Sequence, residues 1–319
     1  MKLTIAFDDV SLPLPPMRRP DVRQLVIESV LDLAADAGVD DVHLIAALAL
    51  HRRMTDAELR HVVGDRVYEA FAPRGTLYNH GAEDPEAMVV LGTTDHGEEV
   101  QISKRAAESD LVVYVNLNLV AMDGVGSPPP PVCRAGALRH HHNPATMTRS
   151  RSFMDRHNSE LHHSNWRQGE VLRSAGVEVF QIETTVNNDL YGDGPMSVLA
   201  KRNGSGTCAT APRSWPRAAL DRLPAAGRRK VLHGWRAPYG LTSVQAGEVE
   251  AVHELTTAQV HRQQLVPVEG QTDVLLFGLP YISPYNVDSI MNPILVHCLG
   301  LGYFFNLYRV ARWFGRAAW

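Results

Sequence analysis

The sequence predicts an α/β fold, with a parallel-sheet N-terminal domain that has helices on both faces and a smaller, truncated α/β C-terminal domain. Over residues 3–63, short apolar runs alternate with segments of helical periodicity, which is typical of a parallel sheet covered by helices. Residues 111–115 form a near-continuous apolar run, as expected of a strand buried on both faces. A helix pattern at residues 246–253 and an apolar run at residues 273–279 indicate a second unit.

The first predicted strand, at residues 3–7, leads into a proline-rich loop that contains Asp9 and Ser11. Prolines exclude helix and sheet pairing there, so the loop is expected to be extended at the strand's carboxyl end. Its carboxylate and hydroxyl either face a ligand or only cap the helix that follows. That helix is predicted from about Asp21 to Asp36, and Gly38 ends it.

The second predicted strand is the apolar run from Val42 to Leu50, which ends abruptly in His51 and Arg52. Thr55, with Glu58 three residues later, is the capping-box signal that begins a helix. Ligands of open α/β sheets bind at the carboxyl ends of strands. His51 and Arg52 therefore stand where chemistry is expected, and the alternative is a solvated turn.

Later elements continue the alternation. Strands are predicted at residues 88–91, around 101–102, at 111–115 and at 177–183, with a short helix at 103–109 and another helix ending near 176. Asn118 closes a polar segment after the apolar run of 111–115, again at a strand end. We predict surface turns over residues 201–230.

Histidines are concentrated in one segment, since six of the fifteen lie in the 24 residues from His140 to His163. Neutral imidazole binds nickel, zinc and copper and acts as a base near neutral pH. However, adjacent histidines point in different directions, and the chain has no HExxH or paired CxxC motif to fix a metal geometry. A metal site and a histidine-rich polar loop both remain open.

Composition narrows the function classes. The chain of 319 residues has a formal net charge of -4 and scattered arginines, which does not favour nucleic acid as a partner. Its three cysteines are far apart and odd in number, as suits a reducing compartment. The N-terminus lacks a signal-peptide pattern, and polar residues interrupt the apolar stretch 294–314. We therefore expect a cytoplasmic protein with no membrane partner.

Six stretches, taken in order, resemble the nickel-dependent lactate racemase family: Asp8–Pro15, Ala47–Leu59, Ser103–Val113, Leu138–Asn143, Ala246–His253 and Asp273–Asn286. The resemblance implies a lactate racemase-like N-terminal domain at residues 1–245 and a partial C-terminal α/β domain at residues 246–319. It also implies a nickel-pincer nucleotide, a pyridinium-derived cofactor that takes a hydride from a 2-hydroxy acid and returns it to either face.

The resemblance assigns roles to particular residues. It implies that His51 is the acid/base group on the substrate hydroxyl, with Arg52 beside it. His142, or less favourably His141, matches the histidine that ligates nickel. The expected cofactor contacts are Asp9, Ser11, Asn118, Tyr285 and Asn286.

Three positions depart from the family pattern. The turn at residues 123–131 has no lysine, so the nucleotide is expected to bind without a covalent bond. No histidine stands near Leu117 or Asn118, where a second acid/base group is expected, and Leu12 replaces a substrate-binding arginine. These changes argue against lactate itself as the substrate. They reflect either divergence or a local reading-frame error, and the chain's end at Trp319 raises the same question.

The first interpretation is an isomerase that racemises or epimerises a small 2-hydroxy acid. A catalytically degenerate homologue that only binds an anionic ligand is the second. A zinc-dependent hydrolase that uses the histidines between His140 and His163 is the third. A homodimer is left open.

Overall fold

The computed structural model describes residues 1–10, 17–48, 52–82, 84–118, 159–187 and 239–264, together with 149, 157, 222–224 and 227. In chain order, the elements are β1 (Lys2–Asp8), α1 (Val22–Asp36), β2 (Asp41–Ala47), α2 (Asp56–Val63), α3 (Asp65–Phe71), β3 (Leu77–Asn79), β4 (Met88–Thr93), β5 (Glu99–Ser103), α4 (Lys104–Ala107), β6 (Leu111–Asn118), α5 (Glu160–Ser174), β7 (Val179–Val186), β8 (Leu241–Gly247) and α6 (Val249–Gln264). Within these ranges, none of the helices is long and apolar enough to cross a membrane.

The main sheet has the strand order β3-β2-β1-β6-β7-β8. Its first five strands are parallel, and β8 pairs antiparallel with β7. Strands β4 and β5 form a separate antiparallel ribbon. The expectation that they continue the parallel sheet was wrong, because the five residues between them, 94–98, are too few for a parallel crossover.

Both faces of the main sheet are covered, which confirms the predicted α/β class with helices on both faces. On the first face, the odd-numbered residues of β1 pack against α1, α2 and α3. On the second face, Ala6 and Val112 pack with the β4–β5 ribbon, α4 and α5. Because side chains alternate along a strand, the even-numbered residues of β1 and β6 line this second face together.

Several predicted boundaries are confirmed and others are corrected. Helix α1 begins after its N-cap Asp21, and α2 has the predicted capping box between Thr55 and Glu58. Strand β6 runs on through Asn118, which therefore lies inside the strand and not after it. Strands β3 and β8 were not predicted.

Strand β8 was missed because residues 246–247 were assigned to a helix, which begins only at Val249. Strand β8 also crosses the domain boundary expected at 245/246, and that boundary stays a prediction. The strand predicted at 273–279 lies outside the described residues.

The carboxyl end of β1 is tied to α1 by a buried arginine. The Arg23 guanidinium donates from Nε and Nη2 to the two carboxylate oxygens of Asp21, at 2.9 and 2.8 Å. Its Nη1 donates to the backbone carbonyls of Asp8 and Asp9, at 2.8 and 2.7 Å. Asp21 also accepts from the Arg23 backbone N–H as the N-cap of α1. We call this arrangement the Arg23 brace.

The brace predicts a large loss of stability when one partner is removed. Arg23→Met leaves the Asp21 carboxylate buried without its counter-charge, which should lower the free energy of unfolding by about 3–5 kcal/mol. Asp21→Asn combined with Arg23→Met should recover part of that loss, because asparagine still caps α1 and no buried charge remains. Urea unfolding of the three proteins measures both effects.

Arg66→Met is the matched control, since Arg66 is exposed and its contacts to Glu28 and Asp32 are 3.7 and 3.5 Å long. It should change stability by less than about 1 kcal/mol. A double variant no more stable than Arg23→Met alone would contradict the assignment of the loss to an unpaired charge.

Candidate functional site

The carboxyl ends of β1, β2 and β6 form the centre of the candidate site, because these strands are neighbours in the sheet. Asp9 directly follows β1, Arg52 follows β2, and Asn118 is the last residue of β6. These are three of the residues expected from the sequence to contact substrate or cofactor. Their roles stay predictions, but the fold brings them to one edge.

Asp8 fixes the end of β1 to β6 on the second face of the sheet. Its carboxylate accepts from the Tyr114 hydroxyl at 2.5 Å and from the Leu117 backbone N–H at 2.6 Å. Desolvation by the surrounding protein raises the pKa of Asp8 to about 6, although both hydrogen bonds favour the charged form. Sequence reasoning singled out Asp9 and missed Asp8. Strand alternation was the available signal, since Phe7 faces the apolar first face and Asp8 must face the second.

Asp9 directly follows Asp8, whose contacts with Tyr114 and Leu117 we call the Asp8 clamp. Its backbone carbonyl is held by the Arg23 brace. Asp9 also interacts electrostatically with Arg52. The hydrogen bond to Glu58 raises the pKa of the Arg52 guanidinium most, and the charges of Glu58 and Asp9 raise it further. The turn after β1 and the turn after β2 therefore place opposite charges near each other.

Arg52 is tied to the first turn of α2. It forms a bidentate pair with Glu58, with Nη1 and Nη2 at 2.8 and 2.7 Å from the two carboxylate oxygens. The same Glu58 carboxylate accepts from the Thr55 backbone N–H at 2.8 Å, as part of the capping box. The helix cap therefore fixes Arg52, whose side chain is about half exposed (49%).

The turn that contains Arg52 is also held from β3. The Asn79 side chain accepts from the Met54 backbone N–H at 3.0 Å and donates to the Met54 carbonyl at 2.9 Å. His80, the next residue, is buried, and its Nε2 has no hydrogen-bond partner within the described ranges. Burial lowers the pKa of His80 to about 4, so its imidazole is neutral at physiological pH. Sequence reasoning missed His80, whose only signal was its position directly after a very short strand.

Asn118 offers a donor at the same edge. Its side chain is buried, and its Nδ2 has no acceptor among the residues the structure describes. A buried amide N–H without an acceptor is costly. An oxygen-rich ligand such as a nucleotide would satisfy it, so this position fits the cofactor expected from the sequence.

The remaining expected site residues lie outside the described residues: Ser11, His51, His141, His142, Tyr285 and Asn286. Among the described residues, no group of three or more His, Cys, Asp or Glu side chains is placed to hold a metal ion. Within the described residues, Asn118 is the position that fits a nucleotide. The nickel ligand, His142 or less favourably His141, stays a prediction.

A separate groove of about 500 Å³ lies between β4 and α5 and is lined partly by Leu91, Trp166 and Arg167. Arg167 is held in it by Glu98, at 3.0 and 2.9 Å. Its described lining contains none of the expected site residues. The groove is therefore distinct from the carboxyl edge of the sheet.

The shifted pKa values of Asp8 and His80 predict opposite effects of pH on the free energy of unfolding. Because the pKa of Asp8 rises from 3.8 to about 6 on folding, the folded state holds this proton more tightly, and stability falls as pH rises from about 4 to 6. Asp8→Asn keeps an acceptor for Leu117 and removes the charge. Its stability relative to the native protein should therefore increase by up to about 3 kcal/mol between pH 4 and pH 7, as measured by urea unfolding.

For His80→Asn, we expect the opposite pH dependence of stability relative to the native protein. Since burial lowers the pKa of His80 from 6.5 to about 4, protonation destabilises the fold as pH falls through this window, and the variant should gain relative stability toward acid. A pH-independent difference between Asp8→Asn and the native protein would contradict the first prediction.

Comparison with known proteins supports the sequence resemblance. Residues 1–154 match the family model of the lactate racemase N-terminal domain. A search of curated proteins gave no match.

Two solved structures are similar. The first is the lactate racemase apoprotein from Thermoanaerobacterium thermosaccharolyticum, with 17% identity and a TM-score of 0.46, covering 58% of this chain and 42% of that one. The second is a structural-genomics structure of a Thermotoga maritima protein, with 12% identity and a TM-score of 0.53, covering 85% of this chain and 56% of that one.

The chain thus spans about half the length of these solved structures. The Thermotoga maritima protein has the same fold as this chain. The similarity to a family rests on the family model, which covers the N-terminal part. Residues 1–154, just under half of the chain, are therefore similar to the lactate racemase N-terminal domain.

Proposed function

We propose that the protein is an isomerase that racemises or epimerises a small 2-hydroxy acid with a nickel-pincer nucleotide. The observation that supports this most is the position of Asp9, Arg52 and Asn118. These residues were assigned to the site from the sequence, and they come from three adjacent strand ends.

The expected cofactor contacts divide between two kinds of group. Asn118 Nδ2 would donate to a nucleotide oxygen, and Asp9, Ser11, Tyr285 and Asn286 would complete the nucleotide contacts. His142, or His141 in its place, would ligate the nickel through a neutral imidazole, as suits this metal. When bound, the group supplies an electrophilic centre that accepts a hydride from the α-carbon and returns it.

The chain's own part of the reaction is proton transfer and orientation. His51 takes the proton of the substrate hydroxyl, since a neutral imidazole within hydrogen-bond reach is a suitable base at neutral pH. Arg52, fixed by Glu58, contributes positive charge beside the turn where the substrate carboxylate would bind. The Arg23 brace and the Asp8 clamp keep Asp9 in place, so that substrate and cofactor meet preformed contacts.

A second candidate function is ligand binding without catalysis. It is favoured by the turn at residues 123–131, which has no lysine, and by the lack of a histidine near Leu117 or Asn118. In that case the edge of the sheet binds an anionic nucleotide or a hydroxy acid and performs no chemistry.

Nickel analysis tests the proposal. The chain is produced together with the enzymes that synthesise the cofactor, and metal content and native mass are measured. We expect about one nickel per chain and the added mass of a nucleotide. His142→Ala should lose the nickel, whereas His140→Ala, one position outside the expected ligand pair, should retain it. Racemisation of a panel of 2-hydroxy acids then follows by chiral chromatography.

Three other results would separate the alternatives. A bound nucleotide without racemisation supports the binding protein. Zinc without nickel or nucleotide supports a zinc-dependent hydrolase. Nickel that survives both His142→Ala and His141→Ala contradicts the assignment of the metal ligand.

A further inference from the structure

The groove between β4 and α5 has no part in the proposed function. Its volume of about 500 Å³ lies within the range of small-molecule sites. One wall is formed by the end of β4 and the turn after it, residues 91–95, and the other by residues of α5 and its C-cap. The two walls meet at Gly92, where a Cβ atom would lie 3.2 Å from Val171 Cγ1.

Trp166 gives this groove an exposed aromatic surface. Its indole lies against the buried His162 ring, with centroids 6.3 Å apart and 35° between the planes. Even so, Trp166 is 37% exposed, and its remaining surface lines the groove. Glu170 follows four residues later and therefore stands on the same face of α5. An aromatic surface inside a concave site is a typical ligand contact.

The two guanidinium groups beside the groove are already paired with carboxylates. Arg167 donates from Nε and Nη2 to Glu98, at 3.0 and 2.9 Å, and from Nη2 to Glu160 at 3.0 Å. Arg173 donates from Nη1 to Glu170 at 2.7 Å. These cations are therefore not available to attract an anionic ligand.

Asp95 adds a carboxylate on the opposite wall. It lies in the turn between β4 and β5, and its exposed side chain forms no hydrogen bond or ion pair with another described residue. The groove thus combines an open indole surface with a negative charge that no cation of the described structure neutralises. This combination favours a cationic ligand over a neutral or anionic one.

The guanidinium group suits these two contacts better than other organic cations. It is planar, so it can stack on an indole, and it is more weakly hydrated than an ammonium group. Its N–H donors match the two oxygens of a carboxylate. An ammonium group offers a point charge with neither a flat face nor a fixed fork of donors.

We propose that this groove is a binding site for a small molecule that carries a guanidinium group. The group stacks on Trp166 and donates to Asp95, and the rest of the ligand packs along Leu91 and Val171, which also line the groove. The site is separate from the carboxyl edge of the sheet. It does not depend on nickel, on the nucleotide or on racemisation.

Titration of the full chain with n-butylguanidinium tests the proposal. The chain has five tryptophans, so in protein with ¹⁵N-labelled tryptophan the Trp166 indole signal is assigned as the one absent from Trp166→Phe. It should shift and saturate, with a dissociation constant on the order of 1–10 mM, as expected for so few ligand atoms. n-Butylurea has nearly the same shape without the charge and should bind at least about tenfold more weakly. n-Butylammonium should lie between the two.

Calorimetric titration then compares variants. Trp166→Leu should weaken n-butylguanidinium binding at least about fivefold, and Trp166→Phe should weaken it less, because indole is the strongest cation–π partner. Asp95→Asn should weaken it about threefold. Glu86→Gln is the matched control, since Glu86 is an exposed carboxylate outside the groove lining, and it should bind like the native chain. Asp95→Asn changes only an exposed turn, so the test does not rely on the folding of the Trp166 variants.

Three outcomes would overturn the proposal. Equal binding of n-butylurea and n-butylguanidinium would show that charge plays no part. Unchanged binding by both Trp166→Leu and Asp95→Asn would place the ligand elsewhere. A Trp166 signal that shifts with protein concentration and with none of the probes would show that a second copy of the chain occupies the groove.

Discussion

The Arg23 brace determines where the central strand of the sheet ends. A guanidinium that is almost completely buried must use its donors, and four hydrogen bonds go to the Asp21 carboxylate and to the carbonyls of Asp8 and Asp9. An ion pair of this kind contributes little net stability compared with apolar packing, but its geometry is specific. Here the geometry joins the first turn of α1 to the last residues of β1. The residue that follows, Asp9, therefore leaves the sheet in one fixed direction.

The Asp8 clamp works on the same strand end from the opposite side. The backbone of Asp8 is held by α1, and its side chain is held by Tyr114 and Leu117 of β6. Ionising this carboxylate costs free energy because desolvation raises its pKa. The protein retains it nevertheless, which is typical of positions where geometry matters more than stability. The end of β1 is therefore held from both sides, by α1 and by β6.

Sequence patterns predicted the elements that depend on local signals. The N-cap at Asp21, the capping box at Thr55 and the apolar run of β6 all act within a few residues, and each was identified. Strand β3 has only three residues. The two large apolar residues of β8, Leu241 and Val244, are exposed, so its sequence shows no alternation of buried apolar and exposed polar residues. The antiparallel ribbon was missed because strand direction depends on loop length more than on the strand residues themselves.

The site was predictable only where residues near one another in sequence define it. Asp9 and Arg52 follow strands, and position at a strand end was sufficient to select them. Asp8 and Tyr114 are 106 residues apart, and no local pattern encodes their pairing. Their importance comes from contacts across the sheet, which only the fold supplies.

The two faces of the sheet differ in polarity. The first face is apolar across β1 and β6, from Leu3 to Phe7 and at Val113 and Val115. The second face mixes apolar and polar residues: Thr4 is buried against Ser109 near the amino edge, and Asp8, Asn116, Asn118, Glu183 and Thr185 lie toward the carboxyl edge. Polar groups in a core cost free energy unless they are satisfied. Near the amino edge, Thr4 and Ser109 satisfy each other, whereas the buried Asn118 Nδ2 has no acceptor among the described residues. An acceptor atom of a ligand bound beside Asn118, at the strand ends that carry Asp9 and Arg52, would remove that cost.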